Sequence, residues 1–174
     1  MDLSKKTGYS VKSVYSKNND YSEKDYSEKD LFSGKGVYCL IFENRACKIE
    51  IGKKGEFSFS PGFHIYVGSA LGPGGLKRLQ RHINLSRNRD RNPKWHVDYL
   101  HLNPAFRLVS AVYAFTSERF ECALASRIEG DSVSGFGCTD CKCSSHLFYR
   151  NKNPLPEITE AFQSLGLSAL VLEL

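Results

Sequence analysis

Four apolar runs crowd into residues 36–68, and no join between them is longer than a tight turn. "GVYCLIFE" is rich in aromatic and β-branched residues. "CKIEIG" alternates and stops at Gly52. "GEFSFSPG" alternates strictly, with Phe57 and Phe59 on one side and Ser58 and Ser60 on the other, and "FHIYVG" alternates less cleanly. A period of two marks extended chain. Joins as short as "NR", "KKG" and "PG" turn each strand back on the one before. The stretch predicts an antiparallel meander.

After Gly75 the period becomes helical. Leu76, Leu79 and Ile83 fall on one face and Arg78, Arg81 and His82 are read onto the other, since steps of three and four return to the same side. The apolar stripe is expected to pack on the sheet with the cations outward. "NPKWHVDYLHL" (92–102) predicts a short helix with Asn92 as cap and Pro93 at its first position. "FRLVSAVYAF" (106–115) predicts a strand, and "SERFECALASRIEG" (117–130) a helix capped by Ser117 and stopped by Gly130. "GFGCTDCKCSSHLFY" is a loop ending in a short apolar stretch. A helix near 155–165 and a final strand, "SALVLEL", close the chain. Strands, then helices, then a strand and a helix give an α+β fold with a mainly antiparallel central sheet flanked by helices.

The first 33 residues stand apart as a weakly ordered arm with a near-perfect direct repeat, DYSEK at 20–24 and 25–29. Sparse apolar residues there bury too little surface to offset chain entropy. Residues 34–150 form the main domain and 151–174 a C-terminal helix and strand extension. No run approaches eighteen apolar residues, and "MDLSKKTGYS" has no apolar signal core. The expectation is a cytoplasmic protein with no membrane partner. Six cysteines in such a chain are reduced thiols or metal ligands.

The distribution of charge says more than the net +5. Residues 36–150 carry sixteen basic and ten acidic residues, and 76–94 holds Lys77, Arg78, Arg81, Arg87, Arg89, Arg91 and Lys94 against Asp90 alone. Such a patch attracts phosphate backbones; the plainer reading is a solvated basic surface.

Several groups are candidates for chemistry. "GSALGPGG" lacks the Gly-Lys-Ser/Thr of a P-loop and the GxGxxG of a dinucleotide loop, so its glycines are read as a sharp strand-to-helix turn that lets a ligand approach closely. Tyr38 and Tyr66 lie in strands, where packing is the ordinary role. Glu121 falls among Leu124, Ala125 and Ile128 on the apolar side of its helix. A carboxylate there needs a salt bridge or a cation, and Mg²⁺ needs only one or two such ligands. Cys138, Cys141, Cys143 and His146 offer three thiols and an imidazole to zinc, although one nine-residue span is compact for such a site and incidental thiols are the alternative.

Gly36-Val37-Tyr38 and Tyr66-Val67-Gly68, with "YVGSA" leading into "KRLQRH", resemble the paired strand motifs of the GIY-YIG nuclease superfamily. The fuller pattern over 36–150, "PGFHIYVGSALGPGG…KWHVDYL…ECALA…GFGCTDCKCSSHLFY", resembles one of its uncharacterised branches, domain of unknown function 123. Some members of that branch are fused to endonuclease III–like repair enzymes, so association with a DNA-repair glycosylase is implied. Between Tyr38 and Tyr66 lie 27 residues, more than in the family pattern, and "CKIEIGKKGEFSFS" is read as an inserted β-hairpin. A family asparagine has no counterpart; Asp140 or a thiol of the loop stands in its place.

The resemblance implies a metal-dependent endonuclease that hydrolyses phosphodiester bonds in DNA, in repair or processing. Glu121 would anchor Mg²⁺ or Mn²⁺ and Arg78 hold the scissile phosphate. Tyr66 would act as general base or orient water, with Tyr38 beside it, and His82 would shuttle a proton or contact phosphate. Lys77, Arg81, Gly68, Ser69 and Gly74 would bind substrate. The alternatives are a non-catalytic nucleic-acid-binding module that keeps the basic face, or a zinc-stabilised interaction domain.

Overall fold

A computed structural model describes residues 10–14, 21–23, 28–128 and 130–174. In chain order the elements are β1 (Ser10–Val14), β2 (Tyr21–Glu23), α1 (Glu28–Leu31), β3 (Gly36–Asn44), β4 (Cys47–Glu50), β5 (Glu56–Phe59), β6 (Gly62–Ala70), α2 (Lys77–Asn88), α3 (Asp98–Leu102), β7 (Phe106–Phe115), α4 (Glu121–Ile128), β8 (Leu147–Arg150), α5 (Leu155–Ser164) and β9 (Leu170–Glu173). Seven of the strands form one sheet in the order β2-β1-β9-β7-β3-β6-β8, with every pairing antiparallel. The fold is α+β.

β3 sits between β6 and β7 and is covered on both faces, which is why "GVYCLIFEN" is almost continuously apolar instead of alternating. Its side chains divide with the period of two. Tyr38, Leu40 and Phe42 join Leu76, Leu79 and Ile83 of the α2 region and Leu100 of α3 in one core. Val37, Cys39 and Ile41 join Leu124 and Ile128 of α4 and Ile158 and Phe162 of α5 in the other.

The four strands do not form one continuous meander: β3 pairs directly with β6, and the expected inserted hairpin, β4–β5, is a separate two-stranded sheet set into their connection. Ile49, Ile51 and Phe59 fasten that hairpin to the first core, so the insertion leaves the pairing of β3 with β6 intact.

Other boundaries moved for local reasons. Helix α3 begins at Asp98 instead of near 93. The Asp98 carboxylate draws in the backbone N–H groups of Lys94 (2.8 Å) and Trp95 (3.1 Å), which turns the chain sharply before the helix starts. Helix α4 begins at Glu121, so Ser117 lies outside it, and the Phe120 carbonyl accepts from the Leu124 N–H at 2.8 Å. Part of the N-terminal arm is structured: β1 pairs with β9. The segment 151–174 is no appendage either, since β9 lies within the sheet between β1 and β7 and α5 fills the second core. Half of the DYSEK repeat, residues 20 and 24–27, lies outside the described residues.

Candidate functional site

Strand register decides where the two tyrosines lie. Across β3–β6, Leu40 faces Tyr66 and Tyr38 faces Gly68. Positions two apart on a strand share a face, so both phenols stand on the α2 side of the sheet. Gly68 serves this packing rather than a ligand, because a Cβ there would sit 2.5 Å from Tyr38 Cζ.

Tyr38 is sealed. It is 1% exposed, its hydroxyl lies 3.1 Å from His82 Nε2, and His82 Nδ1 lies 3.1 Å from His101 Nε2. His82 therefore points inward, against expectation. It follows Leu79 by three residues and precedes Ile83 by one, which puts it on the apolar stripe itself. Burial and then the neighbouring His101 push its pKa well below the ordinary 6.5, so the ring is neutral. Burial likewise lifts the Tyr38 phenol well above its usual 10. Neither group reaches a substrate. They brace the floor under Tyr66, whose ring centroid is 6.5 Å from that of His82.

Arg81 is also taken. Its Nη1 and Nη2 donate to the wholly buried Asp98 at 3.0 and 2.7 Å. Burial works against the Asp98 charge, but the hydrogen bonds from Arg81 and from the Lys94 and Trp95 backbone outweigh it and hold the pKa below 3.8. A bidentate pair of this kind leaves Arg81 little capacity for phosphate. Lys77 and Gly74 line a different hollow with Gly34 and Lys35. The glycine loop turns against its own chain: Gly75 has φ +51°, and a Cβ on it would sit 2.1 Å from the Gly34 carbonyl oxygen.

The remaining expected residues meet. A cleft of about 950 Å³ is lined by Tyr66, Arg78, Lys94, Arg119, Glu121 and Asp140, among others. It opens at the edge of β6. Strand β8 pairs with β6 only as far as Tyr66, the His146 carbonyl accepts one further N–H from Val67 at 2.9 Å, and α4 brings Glu121 in from the opposite face of the sheet. Arg78 is held in place by its Nη1 bond to the Ser69 carbonyl (2.8 Å) and by Trp95, whose ring centroid lies 5.0 Å from the guanidinium carbon. Arg81 and Lys94 stack on the same indole at 4.2 and 5.1 Å. Ser69 thus serves through its backbone.

Tyr66 keeps its proton. Burial and then the Glu121 charge raise its pKa above 10, against the opposing pull of Arg78. At neutral pH the phenol offers an O–H to a ligand, not a phenolate to a water. Glu121 Oε1 lies 3.2 Å from His146 Nδ1, and its side chain remains 28% exposed. It is less deeply set in the apolar stripe than the helical wheel implies, because the first turn of α4 projects past the core.

A second constellation adjoins this cleft. The ligand atoms of Cys122, Cys141, Cys143 and His146 all lie within 4.8 Å of one another, a grouping able to hold a metal ion. Cys138, expected in this set, is absent from it; its Sγ lies 3.7 Å from the Ser144 carbonyl instead. Cys122 takes its place from the second residue of α4. Spacing along the loop could not reveal a ligand supplied by a distant helix. Sequence patterns place Lys94 only in the general basic patch and give Trp95, Arg119 and Asp98 no role at the site. The only signal was a lone acid in "KWHVD", set within a basic stretch.

A family model described as a domain of unknown function, DUF123, matches residues 37–167. No curated protein and no solved structure matches the chain.

Proposed function

We propose that this chain, which belongs to the DUF123 family, is a metal-dependent endonuclease of the GIY-YIG type that hydrolyses phosphodiester bonds in DNA. The observation that carries the reading is the convergence of Tyr66 from β6, Arg78 from α2 and Glu121 from α4 on one open cleft. The three come from separate parts of the chain, and a packed core does not require them to meet.

The donor set suits a hard divalent cation. Glu121 presents a partly exposed carboxylate with one oxygen turned to His146, and Asp140 lines the same cleft. Oxygen donors of this kind, one or two in number, are what Mg²⁺ or Mn²⁺ takes. Bound there, the cation supplies neutralisation of charge at the phosphoryl group and its leaving oxygen. The other roles belong to the chain. Arg78, pre-set by Ser69 and Trp95, forks onto the non-bridging oxygens. Tyr66 donates its O–H to a non-bridging phosphate oxygen, where negative charge builds up. Lys94 and Arg119 draw in the backbone on either side. Tyr38, His82 and His101 keep the Tyr66 ring in position without touching substrate.

The test is a cleavage screen over duplex, branched, damaged and single-stranded DNA and over RNA, with Mg²⁺, Mn²⁺ or chelator. Cutting is expected only with the cation and is expected to fall below detection in Glu121→Ala and Arg78→Ala, each still folded by circular dichroism. Wild type that binds these nucleic acids and cuts none of them would place the chain instead among non-catalytic binding modules.

A further inference from the structure

We propose that Cys122, Cys141, Cys143 and His146 bind one zinc ion in a closed Cys₃His site, and that the outer nitrogen of His146 fastens Glu121 to it. The metal site stands apart from the nuclease reading; only the consequence for Glu121 as a cation ligand rests on that reading.

Geometry is the first support. A tetrahedral zinc with bonds of about 2.3 Å to sulfur and about 2.0 Å to nitrogen sets its sulfurs about 3.8 Å apart and sulfur and nitrogen about 3.5 Å apart. Here all four donor atoms fall within 4.8 Å, and Cys141 Sγ lies 3.5 Å from His146 Nε2. The set is nearly closed around a point where an ion fits. Three soft thiolates favour zinc over Mg²⁺ or Ca²⁺.

The orientation of His146 is the second support. The ring is 1% exposed. Its Nε2 faces the thiols, while Nδ1 lies 3.2 Å from Glu121 Oε1 without the alignment of a full hydrogen bond and has no other partner among the described residues. A buried ring nitrogen left in this way is costly. Zinc on Nε2 fixes the proton on Nδ1, which then donates to the carboxylate. This is the arrangement in which an outer carboxylate orients a metal-bound imidazole.

The loop itself is the third support. Residues 137–145, "GCTDCKCSS", contribute no large apolar side chain to either core. They form no regular element, yet Gly137, Thr139 and Asp140 wall the cleft. One ion joining this loop to the start of α4 supplies the order that apolar burial does not. Because Glu121 and Cys122 are adjacent, the same ion fixes the carboxylate against the cleft.

Elemental analysis of the full chain, purified under reducing conditions, is expected to find one zinc per chain. Cys122→Ser is expected to lose it and Cys138→Ser to keep it. If Cys122→Ser does not fold, cobalt substitution of the wild type decides: three thiolates give an intense near-ultraviolet charge-transfer band and strong tetrahedral d–d bands. Competition against a chromogenic chelator tests the tie to Glu121. Glu121→Ala is expected to weaken zinc binding by roughly ten- to a hundredfold, and Glu121→Gln, whose amide oxygen still accepts from Nδ1–H, by less. Reduced chain without zinc, octahedral cobalt, or equal zinc loss in Cys138→Ser and Cys122→Ser would overturn the site. Unchanged affinity in Glu121→Ala would overturn the tie. None of these readouts needs cleavage, so zinc-loaded protein that cuts nothing would refute the nuclease and leave this site standing.

Discussion

Lowering the pH from 7 to 5 should destabilise this protein steeply, because it buries histidines as neutral rings. His64 lies among Phe59, Phe106 and Tyr149, with Nδ1 2.8 Å from Asn44 Oδ1. Burial lowers its pKa to about 4. His101, against Phe42 and His82, is lowered chiefly by burial to about 3. In the unfolded chain both return to about 6.5. Between the folded and unfolded values the unfolded chain holds more protons, so stability rises with pH there. It is lost as pH falls below about 6.5 and the loss is complete only below the folded values. From pH 7 to 5 each ring therefore removes about 2 kcal/mol, or roughly 4 together. His82, shifted the same way, adds to this. Carboxylates contribute little in this window, since they titrate nearer 4 when unfolded. The assay is urea unfolding followed by circular dichroism at both pH values, for wild type and for His64→Asn, whose amide nitrogen matches the position of Nδ1 and can donate to Asn44. The variant should lose about 2 kcal/mol less than wild type over the interval, and the difference cancels any contribution from metal release. Equal acid losses in the two proteins would refute the assignment of His64 as a neutral buried ring.

Gly68→Ala places a methyl 2.5 Å from Tyr38 Cζ and should lower stability by about 1–3 kcal/mol in urea titration; an unchanged midpoint would mean that Tyr38 is not packed there. Asp98→Ala strands Arg81 and two backbone N–H groups and should remove about 3–5 kcal/mol. The single tryptophan, Trp95, reports directly on that turn, and its emission should shift to the red as the indole loses its cover. Lys94→Ala and Arg119→Ala should each lower the slope of log affinity for DNA against log salt by about one, measured by fluorescence anisotropy.

Much of the fold was legible. β7 runs over the residues that "FRLVSAVYAF" marks out, and α5 and β9 lie where the tail pattern puts them. The hairpin between the paired strands was readable from strict alternation in "GEFSFS" and the turn before it. Boundaries failed where a side chain captured backbone: the helix read from Pro93 starts at Asp98 because that carboxylate holds the turn. Within the site, Tyr66, Arg78 and Glu121 were found and do line one cleft, whereas Lys77 and Gly74 line another hollow. Arg81 was read as a free cation because its acidic partner stands seventeen residues away, beyond any helical spacing.

The sequence alone determined period and charge: which runs are extended, which are helical, and that cations gather after the glycine loop. Those properties are local, set by steps of two or of three and four along the chain. Only the tertiary structure decided which polar groups remain free to act. His82 is sealed by Tyr38 and His101, Arg81 is consumed by Asp98, and Cys122 rather than Cys138 completes the thiol cluster. Each of those outcomes depends on what lies across a gap in space from a distant part of the chain, and no pattern of neighbours in sequence encodes it.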